Sequence, residues 1–235
     1  METDRTLIVV PTYNERENVE ALIGQLLEIA PDADVMIVDD NSADGTVALV
    51  EKLFGANPRV STLNRTGPRS YGHSLLDGYR VALDRGYTRL VQMDADFSHD
   101  PTVVPALIEA SRRADVVIGS RYCPGGGVRN WSWYRRLLSR FANRYVAAIT
   151  GVTARDSTSG FRCYTRRALQ SLLKIDIGSE GYAFLVESTF HAQREGLSIV
   201  EVPITFVDRR AGKSKMSGKV IFESMLKPWR LRFGR

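Results

Sequence analysis

The sequence is poor in cysteine and has no long apolar run. Its two cysteines, Cys123 and Cys163, lie far apart and outside any spacing that is typical of a metal site. This usage predicts a reducing compartment and no disulfide framework. No stretch approaches the ~18 uncharged apolar residues of a membrane span. The first apolar run, Leu7 to Val10, is too short for a signal peptide and is followed by Pro11. We therefore expect a cytoplasmic protein without membrane-spanning helices.

Two glycine-rich nucleotide-binding motifs are also absent. The sequence contains neither Gly-x-Gly-x-x-Gly nor Gly-x-x-x-x-Gly-Lys-Ser/Thr, which argues against a nicotinamide-dependent Rossmann enzyme and a P-loop NTPase. Carboxylates stand at the strand ends where those folds place glycines, as in Asp39-Asp40 and Asp94-Ala95-Asp96. This replacement favours phosphate bound through a metal ion over phosphate bound at a helix N-terminus.

The overall composition is that of an ordinary globular protein. Of the 235 residues, 43% are hydrophobic and 25% are charged, which argues against disorder. The formal net charge of +5 fits nucleic acid, anionic lipid or a phosphorylated substrate as a partner. The basic residues cluster after residue 121 beside aromatic residues. That composition is typical of lipid surfaces, so we expect no nucleic-acid partner.

Apolar runs alternate with segments of helical periodicity along the chain. We predict strands at 6–10, 35–38, 59–63, 89–93, 116–119 and 198–202, and helices at 18–29, 46–54, 70–85, 102–112, 130–149 and 181–195. The polar turn at 156–162 enters either a strand or a short helix. This alternation predicts an α/β domain with a mixed, mostly parallel sheet and helices on both faces. In such sheets ligands bind beyond the carboxyl ends of the strands.

Two carboxylates follow the central predicted strand. Asp94 and Asp96 stand one residue apart and can share one side of the chain where the strand ends. Such a pair is repulsive unless a cation lies beside it. Hard oxygen ligands suit Mg²⁺ or Mn²⁺, usually completed by substrate phosphates. The alternative is an Asp-rich turn, in which Asp100-Pro101 starts the next helix.

The predicted helix at 130–149 combines aromatic residues with arginines. Trp131, Tyr134, Leu137, Leu138, Phe141, Tyr145, Ala148 and Ile149 follow 3.6-residue spacing, with Arg135, Arg136, Arg140 and Arg144 interspersed. Four arginines forbid a membrane span. One interpretation is a basic amphipathic helix lying in the membrane interface, and the basic C-terminal tail has the same composition. The other is an ordinary amphipathic helix packed on the sheet, with a solvated basic face.

Several polar segments stand in an order that is characteristic of a known family. They are Pro11-Thr12-Tyr13-Asn14-Glu15, Val38-Asp39-Asp40-Asn41-Ser42 and Met93-Asp94-Ala95-Asp96, followed by Gly119-Ser120-Arg121-Tyr122, Asp156 to Arg162, Gly181-Tyr182-Ala183-Phe184 and Arg209 to Lys215. The first three resemble family 2 glycosyltransferases of the GT-A fold. The later ones resemble its branch of dolichyl- or polyprenyl-phosphate mannose synthases. The resemblance implies a single GT-A domain over 1–235, with a nucleotide-sugar half at 1–120 and an acceptor half at 121–235.

The resemblance also implies an activity. It is the transfer of mannose from GDP-mannose to a polyprenyl or dolichyl monophosphate, with inversion and with Mg²⁺ or Mn²⁺ as cofactor. UDP-glucose or another donor on the same fold, and a non-catalytic lipid-surface protein, are the alternatives. Such an enzyme would lie peripherally on an anionic membrane surface at its cytoplasmic face. The resemblance also allows for a small membrane-anchoring partner.

Site residues are implied by the same resemblance. The nucleotide sugar would contact Pro11, Tyr13, Glu15, Val38, Asp40, Asp94 and Ala95, and the metal would be held by Asp96 and Ser98. The acceptor phosphate would contact Arg121, Arg135 and Ser139, while Asp96, Arg121, Arg209 and Lys215 would carry catalysis. We expect the basic segment 208–217 to close over the bound donor.

Overall fold

The central feature of the molecule is a seven-stranded sheet. The computed structural model describes residues 4–175, 177, 181–208 and 218–234. Its strands are β1 (Thr6–Thr12), β2 (Ala33–Asp39), β3 (Val60–Asn64), β4 (Arg89–Gln92), β5 (Val116–Ser120), β6 (Gly127–Arg129), β7 (Arg162–Thr165), β8 (Ile199–Pro203) and β9 (Thr205–Val207). The large sheet has the order β3-β2-β1-β4-β7-β5-β8, and β6 and β9 form a separate parallel pair.

The sheet is parallel except at β7. This strand lies between β4 and β5 and is antiparallel to both, with Val91 and Val117 each opposite Cys163. The prediction of a mixed, mostly parallel sheet is therefore confirmed. The sequence predicted either a strand or a short helix after the 156–162 turn, and the structure has the strand β7 there.

The helices confirm most of the periodic segments. They are α1 (Arg16–Ile29), α2 (Thr46–Phe54), α3 (Tyr71–Asp84), α4 (Val104–Ala110), α5 (Trp133–Thr150), α6 (Arg166–Leu172), α7 (Gly181–Arg194) and α8 (Gly218–Phe233). The helix predicted at 130–149 starts later because Asn130 has a positive φ of 63° and Ser132 has an extended backbone, neither of which a right-handed helix accommodates. The segment predicted as one helix at 102–112 begins with a 3₁₀ turn, Pro101–Val103.

Two apolar layers cover the sheet, because apolar side chains point to both of its faces. Leu7 and Val9 belong to a buried cluster with residues of α3, α6 and α7, whereas Ile8 and Val10 belong to a second cluster with residues of α1 and α4. Successive strand residues point to opposite faces, so one strand supplies both layers. Helices on both faces are thereby confirmed, and the polar strand ends are left at the edge.

Helix α5 lies outside these layers and exposes its largest apolar side chains. Its buried residues are Asn143, Val146 and Thr150. Five exposed residues, here called the apolar stripe, are Trp133, Tyr134, Leu137, Leu138 and Phe141, with Trp133 76% exposed. Of the predicted apolar pattern, Tyr134, Leu137, Leu138 and Phe141 therefore do not pack against the sheet, whereas Trp131 is buried.

The C-terminal helix α8 is attached to α5 and α7 by polar contacts. Lys227 forms an ion pair with the buried Glu187 of α7 at 2.8 Å. The Tyr145 hydroxyl of α5 donates to the Met225 carbonyl at 2.8 Å. Met225, Trp229 and Phe233 are exposed, so the apolar surface continues beyond the stripe. Within the described residues, no helix has the length and apolar character to cross a membrane.

Candidate active site

Three loops with unusual backbone geometry leave the carboxyl ends of β1, β2 and β4. Each contains a non-glycine residue in the left-handed region: Asn14 at φ 56°, Asn41 at 59° and Phe97 at 58°. Asparagine tolerates this conformation, but for phenylalanine it is an outlier that the surrounding structure must impose. Three such positions at one edge of the sheet mark it as a candidate functional site.

The loops after β1 and β2 hold each other in place. The backbone N–H of Asn14 donates to the Ser42 hydroxyl at 2.8 Å, and the Asn14 side-chain oxygen accepts the N–H of Ala43 at 3.0 Å. The Asp39 carboxylate accepts from the Thr12 hydroxyl at 2.8 Å and from the Ser42 hydroxyl at 2.6 Å. Asp39 is therefore a structural residue that connects the two loops.

Two residues predicted for the nucleotide pocket are engaged inside the protein. Val38 is fully buried and belongs to the α3 side of the core, so its side chain is engaged in the core, and its contact with the nucleotide stays a prediction. Asp40 accepts the N–H of Ser70 at 2.7 Å and forms a buried ion pair with Arg65. Both Asp40 carboxylate oxygens thus have protein partners, and Asp40 stabilises the pocket wall.

The remaining predicted nucleotide contacts line the same edge. Pro11, Tyr13 and Glu15 are half-buried, as is Asp94, while Ala95 is buried. The guanidinium of Arg69 lies 3.7 Å from the centre of the Tyr13 ring. A planar cation on an aromatic face is a favourable contact, so Arg69 covers the Tyr13 ring in this structure.

The loop after β4 is organised by a neutral histidine. The N–H of Asp94 donates to Nδ1 of His99 at 3.1 Å, which assigns the remaining ring proton to Nε2. Burial lowers the pKa of His99 despite the nearby charges of Asp94 and Asp96. Its ring stacks on Phe161, with centroids 5.0 Å apart. His99 therefore fixes the turn that carries both carboxylates.

Asp96 and Ser98, the two predicted metal ligands, lie together in the loop after β4. Asp96 is buried and accepts the N–H of Ser98 at 3.1 Å. The Ser98 hydroxyl is buried and has no hydrogen-bond partner among the described residues. Across those same residues, no group of three or more His, Cys, Asp or Glu side chains could hold a metal. The donor set fits Mg²⁺ or Mn²⁺ only if substrate oxygens complete the coordination, which is the usual arrangement for Mg²⁺.

Gly160 keeps the space beside Asp94 open. A Cβ atom at this position would lie 2.8 Å from the Tyr71 hydroxyl oxygen and 3.7 Å from Asp94 Oδ1. The Tyr71 hydroxyl donates to that same carboxylate oxygen at 3.2 Å. The close approach therefore requires glycine for steric reasons.

We expect Gly160→Ala to lower turnover about tenfold, because displacing Tyr71 removes a hydrogen bond to a charged group. Steady-state kinetics measure the change. Tyr71→Phe, which removes the hydroxyl without adding a clash, serves as the matched variant and should show a loss of similar size. Wild-type turnover in both variants would show that this contact does not contribute.

A buried ion pair follows β5, at the start of the segment predicted as the acceptor half. Arg121 donates from Nε and Nη2 to the two oxygens of Asp156, both at 2.7 Å, and also to the Thr158 hydroxyl at 2.8 Å. Burial alone would raise the pKa of Asp156, but the charge and the N–H donors of Arg121 outweigh it and lower that pKa. Arg121 is thus oriented by a two-point contact with its charge compensated.

A group of aromatic residues connects Arg121 to Arg135. The guanidinium of Arg135 lies 4.2 Å from the centre of the Trp131 ring, and that of Arg121 lies 5.6 Å from it. Arg135 also pairs with Asp208 at 2.8 Å, and this pair is partly exposed. Ser139, on the same helix, accepts from the Tyr122 hydroxyl at 2.7 Å. The three predicted acceptor residues thus share one region.

The two halves of the site meet at β9. The N–H of Val207 donates to the carbonyl of Ser98 at 3.2 Å, and the Phe206 ring lies 5.6 Å from His99 and 5.4 Å from Trp131. This contact brings the predicted metal ligand Ser98 next to the elements that carry Arg135.

Comparisons with known proteins identify the family. The model of "Glycosyl transferase family 2" matches residues 7–173. A polyprenol monophosphomannose synthase of Mycolicibacterium smegmatis is 45% identical over 234 residues, covering 98% of this chain and 88% of that protein. The chain belongs to glycosyl transferase family 2. An undecaprenyl-phosphate mannosyltransferase of Micrococcus luteus is also 43% identical over 222 residues, covering 94% of this chain and 91% of the relative.

Solved structures agree on the fold of this glycosyltransferase. Glucosyl-3-phosphoglycerate synthase from Mycobacterium tuberculosis, solved in complex with Mn²⁺, uridine diphosphate and glucosyl-3-phosphoglycerate, superposes with a TM-score of 0.73 at 17% identity. The match covers 99% of this chain and 81% of that one. At this identity the likeness concerns the GT-A fold alone.

Some residues of the glycosyltransferase site were not selected from its sequence. Tyr71 is the first residue of α3, Phe206 lies in the three-residue strand β9, and Asp208 directly follows β9. Trp131 was assigned only to an apolar helical face. No local motif marks these positions, because their contacts join distant segments. Arg209 and Lys215, with most of segment 208–217, lie outside the described residues.

Proposed function

We propose that this chain transfers mannose from GDP-mannose to a polyprenyl or dolichyl-type monophosphate, inverting the anomeric carbon and releasing GDP. The observation that carries the proposal is 45% identity to a polyprenol monophosphomannose synthase along 98% of the chain. The relative named undecaprenyl-phosphate mannosyltransferase supports the same sugar and the same class of acceptor. GDP as the nucleotide follows from the family resemblance of the sequence motifs.

The donor would bind at the edge formed by the loops after β1, β2 and β4. Pro11, Tyr13, Glu15, Asp94 and Ala95 are the described residues proposed for its nucleotide and sugar. Asp96 and the Ser98 hydroxyl would hold Mg²⁺ or Mn²⁺ together with oxygens of the diphosphate, since the described residues alone offer too few ligands. A bound divalent cation would supply positive charge to the departing diphosphate.

The acceptor phosphate would bind beside α5. The Arg135–Asp208 pair is partly exposed, so a phosphate can reach the Arg135 guanidinium and bind it with two N–H donors. The Ser139 hydroxyl lies on the same helix, and Arg121 is held nearby by Asp156. Arg209 and Lys215 remain predicted contacts of the leaving diphosphate.

The chemistry requires positioning more than proton transfer. A phosphate monoester has its second pKa near 6 and is already mostly dianionic at pH 7, so its oxygen attacks the anomeric carbon without a side-chain base. His99 is unsuited to that role because it is buried and its Nδ1 accepts the Asp94 N–H. The protein must instead align the two substrates and stabilise charge on the diphosphate.

A panel of nucleotide sugars tests the donor. Purified protein is incubated with one polyprenyl phosphate and separately with GDP-mannose, UDP-glucose and other labelled donors, and lipid-linked label is counted. We expect label from GDP-mannose only. Label from UDP-glucose alone would show that UDP-glucose, and not GDP-mannose, is the donor. The absence of label from every donor would favour the non-catalytic lipid-surface alternative.

The exposed apolar surface supports a peripheral location on a membrane. The apolar stripe of α5 and the exposed residues of α8 adjoin basic side chains, a composition suited to the interface between lipid headgroups and acyl chains. A polyprenyl acceptor is itself held in a bilayer, so the enzyme must work at that surface. The cytoplasmic face and a small anchoring partner remain predictions from the family resemblance.

We expect Leu137→Ser to weaken binding to neutral phosphatidylcholine vesicles about tenfold, because a leucine side chain no longer enters the apolar layer. Vesicle flotation measures the partition coefficient. Leu53→Ser is the matched control, since Leu53 is an exposed leucine of α2, outside the proposed surface. Equal effects of the two changes would show that the apolar stripe does not contact the membrane.

A further inference from the structure

A cavity of about 600 Å³ lies between α5 and the loop that follows β5. Its lining includes Arg121, Tyr122, Arg140, Asn143, Arg144 and Arg155. The volume is in the range of ~300–1,000 Å³ that is usual for small-molecule sites. Among the described residues, none of those predicted to bind nucleotide or metal lines it. The cavity is therefore separate from the proposed donor site.

The cavity has a strong excess of positive charge. No acidic side chain appears among the described residues that line it. Asp156 is committed to Arg121, and the neighbouring Glu201 accepts the N–H of Asp156 at 3.0 Å. Arg140, Arg144 and Arg155 form no ion pair with any carboxylate in the described part of the chain. Uncompensated arginines around a concave space favour an anion, above all a phosphate.

The position of the cavity on α5 indicates where that phosphate comes from. Arg140 and Arg144 are four residues apart and so lie on one flank of the helix, next to the apolar stripe. Arg135, which contacts Trp131 and Asp208, does not line the cavity. With the stripe inserted among acyl chains, flanking arginines lie at the depth of the lipid phosphates.

We propose that this cavity binds the phosphate headgroup of an anionic membrane lipid through Arg140, Arg144 and Arg155. The inference rests on the proposed peripheral membrane location. It adds a lipid site that adjoins the acceptor site at Arg135 and Ser139, with Arg121 at the boundary between the two. A bound headgroup would hold α5 in a fixed orientation on the bilayer. The polyprenyl phosphate would then approach the opposite flank of the helix.

The test compares vesicles of phosphatidylcholine with and without phosphatidylglycerol, both free of polyprenyl phosphate and donor. The variant Arg140→Lys/Arg144→Lys keeps the charge but removes the forked N–H donors. We expect its binding to phosphatidylglycerol vesicles to be weaker by about tenfold, with unchanged binding to phosphatidylcholine alone. Arg112→Lys/Arg113→Lys, on exposed arginines at the amino end of β5, should behave as wild type.

Wild-type binding of the Arg140→Lys/Arg144→Lys variant to both kinds of vesicle would overturn the proposal, since charge alone would then suffice. Arg155→Lys provides an independent variant outside α5, and thermal unfolding checks that each variant is folded. A second arm titrates inorganic phosphate into the vesicle-free protein by calorimetry. We expect phosphate to bind far more weakly than vesicles do, because a soluble anion lacks the apolar contact between the stripe and the bilayer. Saturable phosphate binding that depends on Arg140 and Arg144, with vesicle binding unaffected, would assign the cavity to free phosphate instead.

The outcome is independent of the proposed transferase reaction, because these vesicles contain neither substrate. The phosphatidylcholine arm reports on the apolar stripe, and the increment from phosphatidylglycerol reports on the cavity. A failure of membrane docking is therefore distinguishable from a failure of the headgroup site. Failure of sugar transfer would change neither measurement.

Discussion

Asp96→Asn should reduce sugar transfer by roughly 1,000-fold while leaving the protein folded. The loss of a metal ligand removes several kcal/mol of charge stabilisation from the transition state, and each 1.4 kcal/mol corresponds to a factor of ten. The asparagine oxygen can still accept the Ser98 N–H that Asp96 accepts at 3.1 Å, so the loop should keep its shape. Steady-state turnover with saturating donor, acceptor and Mn²⁺ measures the effect.

The control for this change is Asp100→Asn. Asp100 is an exposed carboxylate of the same loop and accepts the N–H of Thr102 at 2.9 Å as a helix cap. Its variant should retain turnover, at a small loss of stability. Addition of Mn²⁺ should strengthen GDP binding to wild type but not to Asp96→Asn. Full turnover of Asp96→Asn would contradict the assigned metal site.

Arg121→Met should lower the free energy of unfolding by about 3–5 kcal/mol, because it leaves the buried Asp156 carboxylate without its partner. The double variant Arg121→Met/Asp156→Asn should recover much of this loss, since it removes both charges together. Denaturant titration measures all three proteins. Arg112→Met is the control, because the Arg112–Glu109 pair is exposed and should contribute less than ~1 kcal/mol.

The Arg121–Asp156 ion pair also predicts that the free energy of unfolding falls at acid pH. The pKa of Asp156 is lowered in the folded protein relative to ~3.9 for an unfolded aspartate. Its stabilising contribution is therefore present above the unfolded pKa and is lost as the pH falls through the folded one. Asp156→Asn should lack this part of the loss below about pH 4. An identical loss of stability at acid pH in wild type and variant would exclude Asp156 as its source.

The strands that carry the site could be predicted because their apolar runs are local signals. Leu7 to Val10 and the segment ending at Met93 consist mainly of apolar residues, which by themselves indicate buried strands. The polar segments that follow them then had to meet at one edge, since parallel strands share the direction of their carboxyl ends. Asp94 and Asp96 were therefore predictable as neighbours of the Pro11-to-Glu15 loop.

Other features depend on contacts between distant segments and have no local signal. The insertion of β7 between β4 and β5, and the pairing of β6 with β9, are decided by which strands come together in three dimensions. The engagement of Asp40 by Arg65 likewise involves residues 25 positions apart. The start of α5 was misplaced because the apolar pattern already begins at Trp131, whereas the backbone is left-handed at Asn130 and extended at Ser132.

Mannose transfer into an organic-extractable lipid tests the central claim most directly. Radiolabelled GDP-mannose and a polyprenyl monophosphate are incubated with Mn²⁺ and either wild-type protein or Asp96→Asn, with a parallel wild-type reaction in excess EDTA. The account predicts lipid-linked label with wild type and Mn²⁺, and background label in the other two reactions. Absence of lipid-linked label from wild type with either Mg²⁺ or Mn²⁺, or full labelling in EDTA, would contradict it.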